Sequence, residues 1–270
     1  MNISVVVITL NEEKNLSRCL KSVQNIADEI VIVDSYSEDE TGTIARSFGA
    51  RVLYHPFEDY VQQKNYAVSK ASHDWVLSLD ADEALSPELE QSILAVKEFP
   101  LYNAYELSRL TSYCGKWIKY CGWYPDKKIR LFNRKAGAWA GEQIHESWQP
   151  YEMQEKPGML SGDLLHYSYY SFSDHVKQIE KFTEIAARTA VAKGKKCSLL
   201  KMWLVPKWGF FVDYFVRLGI LDGYYGFMVC KYSAWAAFVK YSKIRQYTAR
   251  KKQRKTIGAR TQAYNYQPYG

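Results

Sequence analysis

The segment LSLDADEALSPEL, residues 77–89, determines the fold prediction because an apolar run ends there in three carboxylates. Asp80, Asp82 and Glu83 lie within four residues of one another, directly after Trp75 to Leu79. Unpaired carboxylates are costly to bury, and neighbouring negative charges raise one another's pKa. A core-bound segment that delivers three of them together therefore indicates a functional edge of a sheet rather than an ordinary turn.

The first hundred residues alternate between apolar runs and helical patterns. Short β-branched runs predict strands, whereas apolar residues at spacings of three and four predict helices, as at 16–23 and 57–71. The predicted strands are residues 3–10, 29–33, 51–54 and 75–79. This alternation predicts an α/β fold with a parallel sheet covered by helices on both faces. Ligands of such sheets bind at the carboxyl ends of the strands, where Asp80 and its neighbours lie.

Composition places the chain among ordinary globular proteins. It has 270 residues, of which 47% are hydrophobic and 24% are charged. The start of the sequence lacks the basic region of a signal peptide, and no apolar run is long enough to span a bilayer. Five cysteines without CxxC spacing predict neither a zinc site nor a disulfide framework. We therefore expect a cytoplasmic protein.

The positive charge is concentrated at the C-terminal end. Ten Lys or Arg and no Asp or Glu follow residue 222. Since the net charge of the whole chain is +7, the first 222 residues have a net charge of −3. Aromatic residues make up 15% of the chain and crowd residues 203–241. Aromatic and basic residues without acids suit an anionic membrane surface, although a packed helical subdomain with a solvated basic end has the same composition.

The predicted strands 75–79 and 29–33 both end in aspartates, and we expect these to bind different parts of a ligand. The paired carboxylates of Asp80 and Asp82 suit a hard cation that also grips a diphosphate, although a DxD pair is also common in solvated turns. Asp34 follows the second strand, where its carboxylate would accept hydrogen bonds from a nucleobase or ribose, or would cap a turn. The chain has neither a GxGxxG pattern nor a P-loop, which argues against a dinucleotide dehydrogenase or a P-loop ATPase.

Together these motifs resemble the inverting family 2 glycosyltransferases, whose fold is called GT-A. The resemblance covers residues 1–170 and rests on VVVITLNEEKNLSRCLKSV, EIVIVDSYSEDET, QKNYAVSKASHDWVLSLDADE, KKIRLFNR and IHE. It implies a nucleotide-sugar donor, usually linked to UDP, and Mg²⁺ or Mn²⁺ as cofactor.

The resemblance also implies roles for particular residues. Lys64 and Asn65 would lie near the uracil or the diphosphate, and Asp80 would contact the nucleotide sugar. Asp80 and Asp82 would form the metal motif, with direct ligation by Asp82, and His166 would join the metal shell unless it is a structural histidine. The remaining residues implied around the nucleoside are Thr9, Asn11, Glu12 and Asp34.

Inverting transfer requires a base that removes the proton of the acceptor hydroxyl. The base must face the side of the sugar opposite the leaving group, so we expect it in the irregular second half of the domain. Glu146 is the first candidate, Asp126 the second and Glu142 the third, although Glu146 would also suit a surface salt bridge. Trp117, Trp123 and Trp139 suit either stacking on sugar rings or core packing.

The C-terminal half is similar to bacterial enzymes that build the lipopolysaccharide inner core. The segments that carry this similarity are HYSYYSFSDHVKQIEKFTEIAAR and LGILDGYYGFMVCKYSAWAAFVKYSKI. It resembles most the β-1,4-glucosyltransferases that add glucose to a heptose, which implies UDP-glucose and a lipid-linked core oligosaccharide as substrates. A peripheral position on the inner face of the bacterial inner membrane follows from that acceptor.

We therefore predict three regions. Residues 1–170 form the GT-A domain, with a nucleotide-sugar half to about residue 100 and an acceptor half from 101. Residues 171–248 form a helical, aromatic-rich, membrane-proximal extension, and 249–270 form a flexible basic tail.

Two alternative functions remain open. One is transfer to polyprenyl phosphate or to another surface glycan. The other is a basic nucleic-acid-binding module, although we expect no nucleic-acid partner because the basic residues are confined to one end.

Overall fold

The computed structural model describes residues 1–141, 146–152 and 156–264, which form two compact units. The sheet unit comprises residues 1–119 and 123–170, and the helical unit comprises 120–122 together with the chain from Ser171. Residues 120–122 thus belong with the helices, which the sequence division at residue 170 did not anticipate. Glu142 and residues 265–270 lie outside the described residues.

The sheet unit has an α/β fold, as the sequence predicts. Four short helices cover its sheet: α1 (Leu16–Val23), α2 (Thr41–Ser47), α3 (Tyr60–Ser69) and α4 (Pro87–Glu98). The strands are β1 (Ile3–Thr9), β2 (Glu29–Asp34), β3 (Arg51–Tyr54), β4 (Trp75–Asp80), β5 (Glu83–Leu85), β6 (Ala104–Tyr113), β7 (Lys116–Trp117), β8 (Asp126–Asn133), β9 (Gly137–Ala140), β10 (Ser147–Pro150) and β11 (Gly158–Tyr169).

The first four strands form the parallel half of the sheet. Within the described residues the main sheet runs β3-β2-β1-β4-β8-β6-β11-β5, and β7 pairs with β6. β1 is buried along almost its whole length, as expected of a strand covered on both faces. The parallel register pairs Thr9 with Asp34, and Ile8 with Asp80. The carboxyl ends of β1, β2 and β4 therefore meet at one edge of the sheet.

The helices form where the sequence predicts them because their apolar spacing and caps agree. Leu16, Cys19, Leu20 and Val23 of α1 are all buried, which confirms the predicted apolar face. α4 begins after Ser86, whose hydroxyl accepts a hydrogen bond from Leu89 N, and Pro87 occupies the first helical position.

The second half of the sheet brings His166 to the carboxylate cluster. β5 pairs antiparallel with β11, and the register places His166 opposite Glu83. β11 passes the start of α4 at Gly162, which has a φ of +89°. A Cβ at this position would lie 2.2 Å from Leu89 N, so only glycine permits this close approach.

The helical unit contains three long helices, α5 (Phe172–Ala192), α6 (Leu199–Phe211) and α7 (Gly223–Tyr264). A π-helical turn at Val212–Val216 and a 3₁₀ helix at Gly219–Asp222 connect α6 to α7. α7 continues to Tyr264, so residues 249–264 of the predicted basic tail are helical. No helix in the described part of the chain is long and apolar enough to cross a membrane.

Candidate active site

Arg130 pairs with two of the three carboxylates at the end of β4. One of its terminal nitrogens lies 2.7 Å from Asp80 Oδ2 and 2.6 Å from Glu83 Oε1. Glu83 is buried, and it also accepts a hydrogen bond from Asp80 N at 3.0 Å. Desolvation alone would raise the pKa of Asp80, but Arg130 and then Lys64 outweigh it and hold that pKa well below its ordinary value. Glu83 is thus a structural anion, whereas Asp80 faces the site.

Lys64 joins the first carboxylate of the DxD motif to the candidate base. Its ammonium group lies 3.0 Å from Asp80 Oδ1 and 3.1 Å from Glu146 Oε1. The side chain of Lys64 is only 2% exposed, and the ammonium lies 4.6 Å from the centre of the Trp139 ring. Lys64 therefore pairs with two protein carboxylates, and its position near the uracil or the diphosphate stays a prediction.

Asp82 and His166 form a second pair at the same edge of the sheet. His166 Nε2 lies 3.2 Å from Asp82 Oδ2, and Nδ1 lies 3.3 Å from the hydroxyl of Thr111. The contact with Thr111 fixes the ring so that Nε2 faces Asp82. Across the described ranges no group of three or more His, Cys, Asp or Glu side chains forms a metal site. The structure brings together two of the predicted ligands, while Asp80 is held by cations.

Glu12 interacts electrostatically with Asp82, Asp39 and Asp80. Burial is the largest cause that raises the pKa of Glu12. The negative charges of Asp82, Asp39 and Asp80 raise this pKa further, whereas a hydrogen bond from Asn15 lowers it. Asn15 Nδ2 donates to Glu12 at 2.9 Å, and Glu12 N donates to Thr41. Acidic side chains that lie this close together create a negative electrostatic potential, which favours the binding of a cation.

Two buried polar atoms lie unpaired at the ends of β1 and β2. Thr9 Oγ1 and Asp34 Oδ2 are buried without a hydrogen-bond partner among the residues that the structure describes. The other oxygen of Asp34 accepts from Ser37 N at 2.6 Å. A buried unsatisfied acceptor costs about 1–3 kcal/mol, more when it is charged. Because Thr9 and Asp34 are register partners, the two unsatisfied groups mark one place on the sheet edge.

Asn11 connects the two loops that flank this place. It has a φ of 55°, a left-handed conformation that Asn tolerates better than most residues. Its backbone N–H donates to the Ser37 hydroxyl at 2.8 Å, and its side-chain oxygen accepts from Glu38 N at 2.9 Å. Asn11 therefore positions the loop after β2 against the loop after β1.

Asn65 and Trp139 have structural contacts. The amide of Asn65 accepts from Trp139 N at 3.0 Å and donates to Trp139 O at 2.9 Å, so it holds β9 in place. Trp139 is 4% exposed, with Lys64 and Arg130 within 4.6 Å and 5.5 Å of its ring centre, so its ring packs inside the protein. Trp117 packs edge-on against Tyr167, and Trp123 packs against Tyr169.

Asp126 is bound by two cations, one of which, Arg109, also lies 3.5 Å from Glu83. Arg109 contacts it at 2.6 Å and Lys128 at 3.1 Å. Desolvation raises the pKa of Asp126, but Arg109 and then Lys128 outweigh it, so the pKa is lowered. Asp126, the second candidate base in the sequence, is thus held by cations, and its role stays a prediction.

The sequence prediction missed the role of Arg130 and the pairing of Lys64 with Glu146. A signal for Arg130 was present, because it stands between Ile129 and Leu131 in an apolar strand, where a charged side chain needs a partner. Lys64 gave no such signal, since one face of α3 carries mostly polar residues.

Comparison with known proteins identifies the family. Residues 4–140 match the family described as Glycosyl transferase family 2. The chain belongs to glycosyl transferase family 2. A relative described as an uncharacterised glycosyltransferase of Rickettsia typhi is 34% identical over 253 residues, which cover 90% of this chain and 87% of that protein.

One further sequence relative and one solved structure are similar to this chain. The lipopolysaccharide core biosynthesis glycosyltransferase LpsC of Rhizobium meliloti is 28% identical over 264 residues, covering 90% of this chain and 92% of that protein. The mannosyltransferase PcManGT of Pyrobaculum calidifontis, solved with GDP-Man and Mn²⁺, aligns with a TM-score of 0.52 at 12% identity. That alignment covers 90% of this chain and 86% of that protein, and with the family match it shows the GT-A fold.

Proposed function

We propose that this glycosyltransferase is a metal-dependent inverting enzyme that moves glucose from UDP-glucose onto a heptose of the lipopolysaccharide inner core. The observation that carries the proposal is the ammonium group of Lys64, which lies within about 3 Å of both Asp80 and Glu146. It joins a donor-side carboxylate to the candidate base in one site. The similarity to LpsC, described as a lipopolysaccharide core enzyme, supports the acceptor class.

The nucleoside of the donor binds at the ends of β1 and β2. The unpaired Oδ2 of Asp34 accepts a hydrogen bond from a ribose hydroxyl or a base N–H, and the Thr9 hydroxyl pairs with the same ligand. Asn11 and Glu12 hold the loop that borders the nucleoside. Binding of this kind removes the desolvation cost that both atoms carry in the free protein.

Asp82 and His166 would hold Mg²⁺ or Mn²⁺ beside the donor diphosphate, Asp82 as a direct ligand and His166 through a ring nitrogen, and Asp80 would complete the motif. The contact of 3.2 Å between Asp82 and His166 supports this assignment, because oxygen and imidazole ligands suit Mn²⁺. When bound, the ion would neutralise negative charge on the departing diphosphate.

Glu146 accepts the proton of the acceptor hydroxyl. The acceptor oxygen forms a bond to the anomeric carbon, the bond from that carbon to the diphosphate oxygen breaks, and UDP leaves with the electron pair. The attack comes from the face opposite the leaving group, so the configuration inverts. Lys64 holds the carboxylate of Glu146 in position, and the partial exposure of Glu146, 18%, leaves it accessible to an acceptor.

The acceptor is a lipid-linked core oligosaccharide, reached from the inner face of the bacterial inner membrane by a peripheral protein. Transfer to polyprenyl phosphate is the competing proposal. That acceptor is already anionic, so a base would contribute little to the rate. The requirement for Glu146 therefore separates the two acceptors.

The test is a transfer assay with lipopolysaccharide that ends at the inner-core heptose, a panel of nucleotide sugars, and EDTA or added Mn²⁺. We expect a β-linked glucose, identified by NMR, only with UDP-glucose and metal. Glu146→Gln should lower kcat by about 10²–10⁴, with UDP affinity unchanged. The matched variant Asp126→Asn should retain most of its activity.

Three results would contradict the proposal. Retained kcat in Glu146→Gln with a collapse in Asp126→Asn would assign the base to Asp126. Retention of configuration would reject the inverting mechanism. Transfer to polyprenyl phosphate that is insensitive to Glu146→Gln would favour the alternative acceptor.

A further inference from the structure

The region from α6 to the 3₁₀ helix, residues 199–221, exposes an unusual amount of apolar side chain. We call it the apolar surface. Leu200 is 69% exposed, Trp208 66%, Leu221 60% and Leu204 53%. Soluble proteins rarely expose contiguous apolar patches, and those that do use them for interaction with proteins, membranes or ligands.

α6 has only two charged residues, Lys201 and Lys207, in the sequence LLKMWLVPKWGFF, and its other side chains are apolar. Pro206 is nevertheless the one residue of this helix that is buried. One side packs on α7, where the ring of Trp203 lies 5.0 Å from Phe238 and that of Phe210 lies 5.8 Å from Phe227. A helix that is largely apolar around its circumference is typical of a protein core or a membrane, so the uncovered apolar side chains require an apolar environment.

The length and the aromatic residues favour insertion in the plane of a bilayer surface. α6 has 13 residues, well short of a membrane span. Trp203 and Trp208 combine a large apolar ring with a polar N–H, which suits the interface between headgroups and acyl chains. A groove of about 330 Å³ between α6 and α7, lined almost entirely by carbon, adds apolar surface open to the outside.

The charges around the apolar surface identify an anionic occupant. Lys201, Lys207 and Arg217 are exposed, and Lys195 and Lys196 precede α6. The acids of this stretch are occupied: Asp213 is 2.9 Å from Arg217, and buried Asp222 accepts from Tyr120 N at 2.9 Å.

Beyond residue 222 the chain has ten further basic residues and no acid. A second copy of the chain would bring like charges together, whereas anionic lipid complements them.

We propose that residues 199–221 insert into the headgroup region of an anionic bilayer, and that the basic residues around them supply the electrostatic part of the attraction. The inference goes beyond the glycosyltransferase activity because it rests on the helical unit alone. The apolar surface is the anchor in this proposal, and the basic residues have a supporting role.

The test is co-sedimentation of the full chain with vesicles of phosphatidylcholine alone or mixed with phosphatidylglycerol. The test variant is Leu204→Glu/Trp208→Glu. The matched control is Phe99→Glu/Leu101→Glu, which replaces two apolar residues of the sheet unit that are 80% and 82% exposed. We expect the test variant to lose at least about tenfold in partitioning into mixed vesicles, because two apolar anchors are removed. The control should bind as the wild type does.

Added salt should weaken binding of the wild type without abolishing it, because only the electrostatic part is screened. Tryptophan emission of the wild type should be quenched by lipids brominated on their acyl chains, a measurement that requires no variant. Calorimetry of UDP binding should give the same affinity for all forms, so failure here is distinguishable from failure of the proposed activity.

Several outcomes would overturn the inference. Equal partitioning of the test and control variants would do so, as would complete release by salt or no quenching by brominated lipid. A wild-type dimer that dissociates on Leu204→Glu/Trp208→Glu, with vesicle binding intact, would show that a second copy covers the apolar surface.

Discussion

Asp34 offers the sharpest test of the donor site, because its two oxygens have different roles. Oδ1 accepts a hydrogen bond from Ser37 N at 2.6 Å and holds the turn after β2, whereas Oδ2 is buried without a described partner. If Oδ2 accepts from the nucleoside, Asp34→Asn should disrupt binding while sparing the turn. The asparagine keeps one oxygen for Ser37 N and presents an NH₂ group, a donor, where an acceptor is needed.

The size of the effect follows from the kind of hydrogen bond. A hydrogen bond to a charged group contributes about 1.5–3 kcal/mol, which corresponds to a loss of about 10- to 150-fold in donor affinity. Unfolding should respond in the opposite direction, because an unpaired buried charge is removed. We expect Asp34→Asn to unfold at the same temperature as the wild type or higher.

The assay is calorimetric titration of UDP in the presence of Mn²⁺, with thermal unfolding of the same samples without nucleotide. Asp34→Ala is the matched control, because it removes both oxygens and loosens the turn as well. Donor affinity that is normal in Asp34→Asn and low in Asp34→Ala would reduce Asp34 to a turn cap. It would also refute the argument that the unpaired oxygen marks the nucleoside site.

Three further predictions address the metal, the shared lysine and the pH dependence of stability. Asp82→Ala should abolish the Mn²⁺-dependent part of UDP binding without lowering the melting temperature; unchanged metal dependence in calorimetry would reject Asp82 as a ligand. Lys64→Met should lower the free energy of unfolding in urea by about 2–3 kcal/mol and lower kcat, since Glu146 loses its ion-pair partner; an unchanged kcat would show that the pair is structural only. Burial would raise the pKa of Glu29, but hydrogen bonds from Ser4, Ser72 and Arg51 lower it from the ordinary 4.5 to about 2. The stabilisation from ionised Glu29 is therefore complete above the ordinary pKa and is lost as the pH falls toward 2. Glu29→Gln should be less stable than the wild type by about 1–2 kcal/mol near neutral pH, with a gap that closes in acid; a constant gap would contradict this.

The sheet could be predicted from sequence because each strand carries its own signal. β1, β2 and β4 are continuous apolar runs, and the register that brings Thr9 beside Asp34 follows from parallel pairing. The same logic placed the DxD motif at the correct edge of the sheet. These features depend on local pattern and on rules of topology, both of which are present in a single sequence.

The ion pairs within the candidate site could not be predicted in the same way. Lys64 and Glu146 are separated by 82 residues, and their contact depends on how α3 and the residue before β10 are placed against the end of β4. Arg130 reaches Glu83 from an antiparallel strand whose partner no local pattern specifies. The helical state of residues 249–264 was missed because a polar, basic composition indicates exposure but does not decide between coil and an exposed helix.

The segment 120–122 has a consequence for how this protein can be recombined. Tyr120 N donates to Asp222, and Cys121 N donates to Arg217 O, so three residues from the first half complete a turn of the helical unit. A single crossover near residue 170 would join one parent's 120–122 to the other parent's 217–222. Chimeras between relatives should therefore exchange residues 120–122 together with the chain from Ser171, rather than the chain from Ser171 alone. Among natural homologues, we expect substitutions in these two short segments to be inherited together.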